Sequence, residues 1–174
     1  MAAGPLGYTV ALGLLELRAG IAGLYRRWYG VDLDPARVVV TSGSSAGFLL
    51  AFTALFEAGD RVGLGEPGYP SYRQILRALS LVPVGIPTTN ENRLQPVPAD
   101  LAGVALDGLI VASPGNPTGT MLDHAALSGL IGHCADRGIS FVSDEIYHGL
   151  HYGDRAVSAL EITDDCYVIN SFSK

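Results

Sequence analysis

Apolar residues follow two patterns along this chain: short uninterrupted runs, and longer segments in which they recur at helical spacing. Runs such as VVV, GLIVA and YVI lack the alternation of a half-exposed strand, which favours strands covered on both faces of a mainly parallel sheet. These runs predict strands over residues 37–41, 61–64, 82–86, 109–112, 139–143 and 166–170. Strands that alternate with helices predict an α/β sandwich.

The longer segments predict four helices: over residues 12–29, from residue 44 onward, over 70–79 and over 123–137. The first is expected to be amphipathic. The second is expected to bury one apolar face, made of Phe48, Leu49, Phe52, Leu55 and Phe56. Residues 90–98 contain two prolines and are interpreted as a surface connection.

Composition and charge narrow the classes of function. The 174 residues are 48% hydrophobic, which suits one globular domain. A net charge of -6 argues against a nucleic-acid partner. The longest apolar stretch, residues 47–56, is too short to cross a bilayer, and no signal peptide is recognisable, so we expect no membrane association and a cytoplasmic protein. Cys134 and Cys166 lie too far apart to indicate a metal site.

Chemically active residues follow five of the predicted strands. They form the segments SGSSAG from Ser42, EPGYP from Glu66, SPGNPTG from Ser113, DEIY from Asp144 and NSFSK from Asn170. Ligands of open α/β sheets bind beyond the carboxyl ends of the strands. In a parallel sheet these five segments therefore converge on one edge.

The convergent residue types match the parts of one cofactor. A helix that starts at residues 43–45 offers free N–H groups to a phosphate. Tyr69 can cover a flat ring, Asn116 can donate to a ring oxygen, and Asp144 can pair with a protonated ring nitrogen. Lys174 can form an imine with an aldehyde. Phosphate, ring, phenolic oxygen, ring nitrogen and aldehyde together describe pyridoxal 5'-phosphate.

Four motifs resemble successive blocks of the class I/II aminotransferases, in the order that the family has them: EPGYPSY, SPGNPTGT, SDEIYHGL and SFSK. The resemblance implies a three-layer α/β/α sandwich with a mainly parallel sheet, the large domain of fold type I. It also implies transfer of an amino group from an amino acid to a 2-oxo acid through a Lys174 aldimine, with pyridoxal 5'-phosphate as the cofactor.

The resemblance assigns catalytic and ring contacts residue by residue. Lys174 is similar to the lysine that forms the internal aldimine, and Asp144 to the aspartate on the pyridine nitrogen. Tyr147 resembles the tyrosine that bonds the phenolic oxygen, with Asn116 as its partner. Tyr69 stands where the family has its stacking aromatic residue.

Phosphate contacts and a dimer also follow from the resemblance. Gly43, Ser44 and Ser171 resemble the family's phosphate contacts, and Ser45 lies beside them. Tyr8 resembles the tyrosine that reaches the phosphate of a neighbouring subunit, which implies a homodimer.

Compared with the family, the chain is expected to be a partial large domain over residues 1–174, without the N-terminal arm and the small C-terminal domain. The isolated chain is therefore expected to be inactive. Two alternatives use the same motifs: a carbon–sulfur β-lyase, and a regulatory domain that binds the cofactor without catalysis.

Other polar and aromatic residues receive structural interpretations. Asp144 can cap a helix and Asn116 can serve a turn, which are common structural uses. Tyr72 is interpreted as a packing residue. His148 and His151 are not expected to bind a metal, because no third ligand accompanies them.

Overall fold

The computed structural model describes residues 7–8 and 10–174. They divide into two compact units, and the boundary along the chain lies between Ser42 and Gly43. In the first unit, helix α1 spans Leu15–Tyr29 and ends at Gly30, whose positive φ of 73° suits glycine. The Arg18 guanidinium donates to the carbonyl of Pro35 at 2.7 and 3.0 Å and ties the helix to the segment that follows it. Leu14 and Leu15 are exposed, whereas Tyr25 is buried.

The strand predicted over residues 37–41 is wrong. A 3₁₀ turn occupies Pro35–Arg37, and the valines that follow, of which Val38 is extended, belong to no strand of the described chain. The Val40 N–H donates to the Leu12 carbonyl at 3.0 Å, a single bond and not a ladder. A β-branched run therefore forms no strand here without a neighbouring strand to pair with.

The other five predicted strands form one parallel sheet in the second unit. They are β1 (Arg61–Glu66), β2 (Val82–Pro87), β3 (Gly108–Ala112), β4 (Ser140–Asp144) and β5 (Tyr167–Ile169), arranged in the order β2-β1-β3-β4-β5. Ala112 pairs with Asp144, and Asp144 pairs with Ile169. The carboxyl ends of three neighbouring strands are thus level at one edge of the sheet.

Helices cover both faces of this sheet, so the three-layer sandwich is confirmed. They are α2 (Ser44–Leu55), α3 (Pro70–Ala78) and α4 (His124–Asp136). Phe52 of α2 and Leu76 of α3 pack in one cluster with Ile110 of β3. Leu130 of α4 packs in the other cluster with Leu109, the neighbour of Ile110 on the same strand. Successive side chains of β3 therefore serve opposite faces.

Two expectations of burial fail in this unit. Leu49 does not join the buried face of α2, since 45% of it is exposed. Residues 90–98 are not simply a surface connection, because Gln95 and Pro96 are buried. The buried Gln95 amide donates to the carbonyls of Ala112 and Thr120 at 3.1 and 2.8 Å, which explains its place inside the molecule.

Neither a membrane-spanning helix nor a metal-ligand cluster occurs in the described parts of the chain. None of the helices there combines the length and the apolar content needed to cross a bilayer. Among the same residues, no group of three His, Cys, Asp or Glu side chains is placed to hold a metal ion.

Candidate active site

A cavity of about 230 Å³ opens at the carboxyl edge of the sheet in the second unit. Parts of its wall come from the first turns of α2 and α3 and from the segments that follow β3, β4 and β5. The predicted site residues that line it are Ser44, Ser45, Tyr69, Asn116, Asp144, Tyr147 and Lys174. Residues far apart in sequence meet here because parallel strands end at one edge.

Asp144 ends β4 and carries a buried carboxylate. Its Oδ1 accepts the Ile146 N–H at 3.1 Å, and its Oδ2 accepts the hydroxyl of Tyr72. Burial raises the pKa of Asp144, and the two hydrogen bonds oppose that rise. Among the described residues no Lys or Arg forms an ion pair with Asp144. The carboxylate therefore suits a ligand that brings a positive charge or a proton.

Asn116 and Tyr147 present neighbouring donors on a different wall of the cavity. The Asn116 amide donates to the Tyr147 hydroxyl at 3.3 Å. Asn116 lies in a tight loop after β3, closed where the Gly119 N–H donates to the Gly115 carbonyl at 2.8 Å. Tyr147 lies three residues after Asp144, in the turn that follows β4. An amide and a phenol held this close can bind one oxygen atom of a ligand together.

Lys174 is the only lysine in the sequence, and it lines the same cavity. Its Nζ lies 5.9 Å from the centroid of the Tyr147 ring, within reach of a cation–π contact. Lys174 follows β5, the strand that pairs with β4, and so approaches the cavity beside Asp144. A primary amine and a carboxylate therefore border one space.

The first turn of α2 also borders the cavity, and its N-terminus suits an anion. Gly43 is the N-cap residue with a φ of 96°, and no side chain caps this helix. Ser44 and Ser45 line the cavity. Helix N-termini bind phosphate through free N–H groups and the helix dipole.

Of the remaining predicted residues, Tyr69 lines the cavity, whereas Ser171 and Tyr8 are not among its lining residues. Tyr69 lines the cavity just before α3, and its ring contacts the Tyr72 ring at 5.4 Å with an interplanar angle of 80°. The Ser171 hydroxyl donates to the Ser173 hydroxyl at 2.8 Å, and Ser173 lines the cavity. Tyr8 belongs to the first unit and is fully exposed, so its contact with a second subunit stays a prediction.

Comparison with known protein families decides the family. The family model for aminotransferase class I and II matches residues 5–174. The chain belongs to this family.

Relatives of this class I and II aminotransferase chain include enzymes with different substrates in their names. It is 47% identical to the valine–pyruvate aminotransferase of Mycobacterium tuberculosis, over 97% of this chain and 45% of that protein. It is 31% identical to the aspartate aminotransferase of Pyrococcus horikoshii, over 96% of this chain and 44% of that protein. The chain thus spans less than half the length of these relatives.

Solved structures of aminotransferases show the same fold. An aminotransferase from Mycobacterium tuberculosis superposes with a TM-score of 0.93 at 47% identity, over 97% of this chain and 47% of that one. The alanine aminotransferase of Pyrococcus furiosus superposes with a TM-score of 0.90 at 31% identity, over 97% of this chain and 44% of that one. The fold type I architecture expected from the motifs is therefore confirmed.

Tyr72 makes a contact at this cavity that its sequence position does not predict. It packs in the core as expected, and its hydroxyl also donates to the Asp144 carboxylate. Burial and the nearby carboxylate both raise the pKa of Tyr72, so the phenol keeps its proton and donates it in this bond. The available signal was the spacing of Tyr69 and Tyr72, which places Tyr69 at the N-cap and Tyr72 in the first turn of α3, both beside the cavity.

Proposed function

We propose that the protein carrying this chain is a pyridoxal-phosphate-dependent aminotransferase that moves an amino group from an amino acid to a 2-oxo acid. Membership of the family supports the reaction class. The observation that carries the proposal is one cavity bordered by the only lysine of the sequence, a buried carboxylate, an amide–phenol pair and a helix N-terminus.

The residues present fit pyridoxal phosphate. Asp144 is a buried carboxylate with a raised pKa and no cationic partner among the described residues, so a protonated ring nitrogen would keep it charged. Asn116 and Tyr147 would bind the phenolic oxygen, and Tyr69 would cover the ring. Ser44, Ser45 and the N–H groups that follow Gly43 would hold the phosphate, with Ser171 as a further contact.

When bound, the cofactor supplies an aldehyde for a primary amine and a ring that withdraws electrons from the substrate Cα. Asp144 would hold the ring nitrogen in the protonated state that makes this withdrawal strong. The Lys174 amine would hold the cofactor through its aldehyde and would carry a proton to or from the substrate Cα. Tyr147 and Asn116 would hold the phenolic oxygen and so orient the ring, and Tyr69 would cover it.

The substrates would be an amino acid and a 2-oxo acid, as the names of the relatives indicate for those proteins. A homodimer and a cytoplasmic location stay predictions that the described residues do not test. The catalytic residues of the proposal are Lys174, Asp144 and Tyr147.

Single-turnover assays on the full-length protein test this proposal. The expected result is that an amino acid converts the bound cofactor to its amine form, and that a 2-oxo acid converts it back. A Lys174→Ala variant should lose both half-reactions. Pyruvate release from cystathionine without any oxo-acid acceptor would support a β-lyase instead, and cofactor binding with no turnover of amino acids would support a regulatory domain.

A further inference from the structure

A cluster of buried polar groups lies behind the candidate active site, and the proposed function does not use it. Glu145 is fully buried next to Asp144 in sequence. Its carboxylate accepts the Ala159 N–H at 2.8 Å and the hydroxyls of Ser143 and Ser158 at 2.9 to 3.1 Å. These bonds anchor the turn after β4 to the segment around Ser158.

His148 completes this cluster, and its side chain is wholly buried. Its Nε2 lies 2.8 Å from the carbonyl oxygen of Ser113. A carbonyl oxygen only accepts hydrogen bonds, so Nε2 carries the proton and donates it. Burial lowers the pKa of His148 to about 4, which keeps the ring neutral at pH 7 with Nδ1 unprotonated. Nδ1 is 3.6 Å from the Glu145 carboxylate, too far for a hydrogen bond.

The bond from His148 joins two segments that carry cofactor contacts. Ser113 opens the loop that carries Asn116, and His148 directly follows Tyr147. The Ser113 N–H also donates to the Asp144 carbonyl, at 3.2 Å. These two bonds fix the start of the loop to the end of β4 and to the turn after it. The 3.3 Å contact between Asn116 and Tyr147, which both line the cavity, joins the same two segments.

We infer that His148 is a positioning residue, which sets the spacing of the Asn116 amide and the Tyr147 hydroxyl through its bond to the Ser113 carbonyl. This inference rests on the proposed function, because the oxygen that the two donors bind belongs to pyridoxal phosphate. His148 itself does not line the cavity. Its effect on cofactor binding is therefore indirect, and it depends on Tyr147.

Two amide substitutions at His148, which differ in side-chain length, test the role of the Nε2–H donor. In the full-length protein, His148→Gln keeps an N–H group near the position of Nε2, whereas His148→Asn is too short to reach the Ser113 carbonyl. Titration of the apoprotein with pyridoxal phosphate should give a dissociation constant within about twofold of wild type for the Gln variant and about tenfold weaker for the Asn variant. The same two substitutions at His124, which is exposed on α4, should change nothing.

A double-mutant cycle separates positioning from general stability. In a Tyr147→Phe background the hydroxyl that His148 positions is gone, so the penalty of His148→Asn should shrink from about tenfold to less than threefold. Equal affinities for the Gln and Asn variants, or an undiminished penalty in the Tyr147→Phe background, would overturn the inference. An Asn variant that unfolds while the Gln variant folds would make His148 a determinant of overall stability and would also overturn it. Failure of the wild-type protein to bind pyridoxal phosphate would instead reject the proposed function.

Discussion

Two neighbouring carboxylates, Asp144 and Glu145, point into opposite surroundings at the end of β4. Both are buried, at 4% and 0% exposure. Glu145 is enclosed by Ser143, Ser158 and Ala159, which donate to it from within the protein. Among the residues that the structure describes, two groups donate to Asp144, and this residue borders the cavity.

The difference shows how burial of a charge can serve either stability or binding. A carboxylate can accept about four hydrogen bonds. The protein satisfies Glu145, so this carboxylate fastens the turn. Asp144 keeps capacity for a ligand and has a raised pKa, the state expected of a group whose ionic partner arrives with the cofactor.

Asp144→Asn should give the largest functional effect, because it removes the charge that, in the proposed function, would hold the ring nitrogen protonated. Amino transfer by the full-length protein should fall roughly 10²- to 10³-fold, the usual scale for loss of one electrostatic contact. Stopped-flow measurement of each half-reaction checks this, with Asp154→Asn as an exposed control. A loss of less than tenfold would contradict the assignment of Asp144.

The same variant should change how the stability of the apoprotein depends on pH. The folded pKa of Asp144 is raised, so as pH rises above about 4 the unfolded chain ionises before the folded one. The stability that the protonated Asp144 carboxyl contributes to the folded state at low pH is therefore lost as the pH rises through the folded pKa. Urea unfolding at pH 4 and pH 8 should show a smaller decrease in stability for Asp144→Asn than for wild type.

Glu145→Gln should act mainly on stability. The amide group places N–H donors where Ser158 and Ala159 already donate, which should lower the free energy of unfolding by about 1–3 kcal/mol. Urea unfolding of the apoprotein measures this, and Glu57→Gln at an exposed position should stay within about 0.5 kcal/mol of wild type. The contrast between Glu145 and Asp144 is contradicted if Glu145→Gln leaves the stability unchanged and slows amino transfer as much as Asp144→Asn.

Tyr72→Phe should slow amino transfer less than Asp144→Asn does. It removes the hydroxyl that donates to Asp144 and leaves the carboxylate and the cofactor contacts in place. Amino transfer should slow about tenfold, or about 1.4 kcal/mol, because the Asp144 carboxylate is held less firmly and its pKa rises further. Tyr152→Phe, on a fully exposed residue, provides the matched control. Identical rates for both variants would contradict a role of the Tyr72 hydroxyl in supporting the Asp144 carboxylate.

Much of the site was predictable because parallel strands end at one edge. Asn116, Asp144, Tyr147 and Lys174 each follow a strand that the apolar runs identify, so local sequence and one rule of topology bring them together. The bond from Tyr72 to Asp144 was not predictable in this way. Tyr72 lies inside a helix, and only the packing of α3 on the sheet brings its hydroxyl to Asp144.

The fold predictions that were wrong also depended on tertiary contacts. Residues 38–40 have the composition of a strand, but a strand also needs a neighbour to bond, and the sequence of the run does not report one. Leu49 fits the apolar pattern of α2, yet the helix is apolar on most sides and the pattern does not identify which side is covered. Local pattern predicted the element type, and tertiary contacts decided pairing and burial.

Borohydride reduction of the full-length protein loaded with pyridoxal phosphate, followed by peptide mass spectrometry, tests the central claim most directly. We predict a cofactor adduct on the peptide that contains Lys174, and no adduct in the Lys174→Ala variant. An adduct on a different lysine, with Lys174 unmodified, would contradict it.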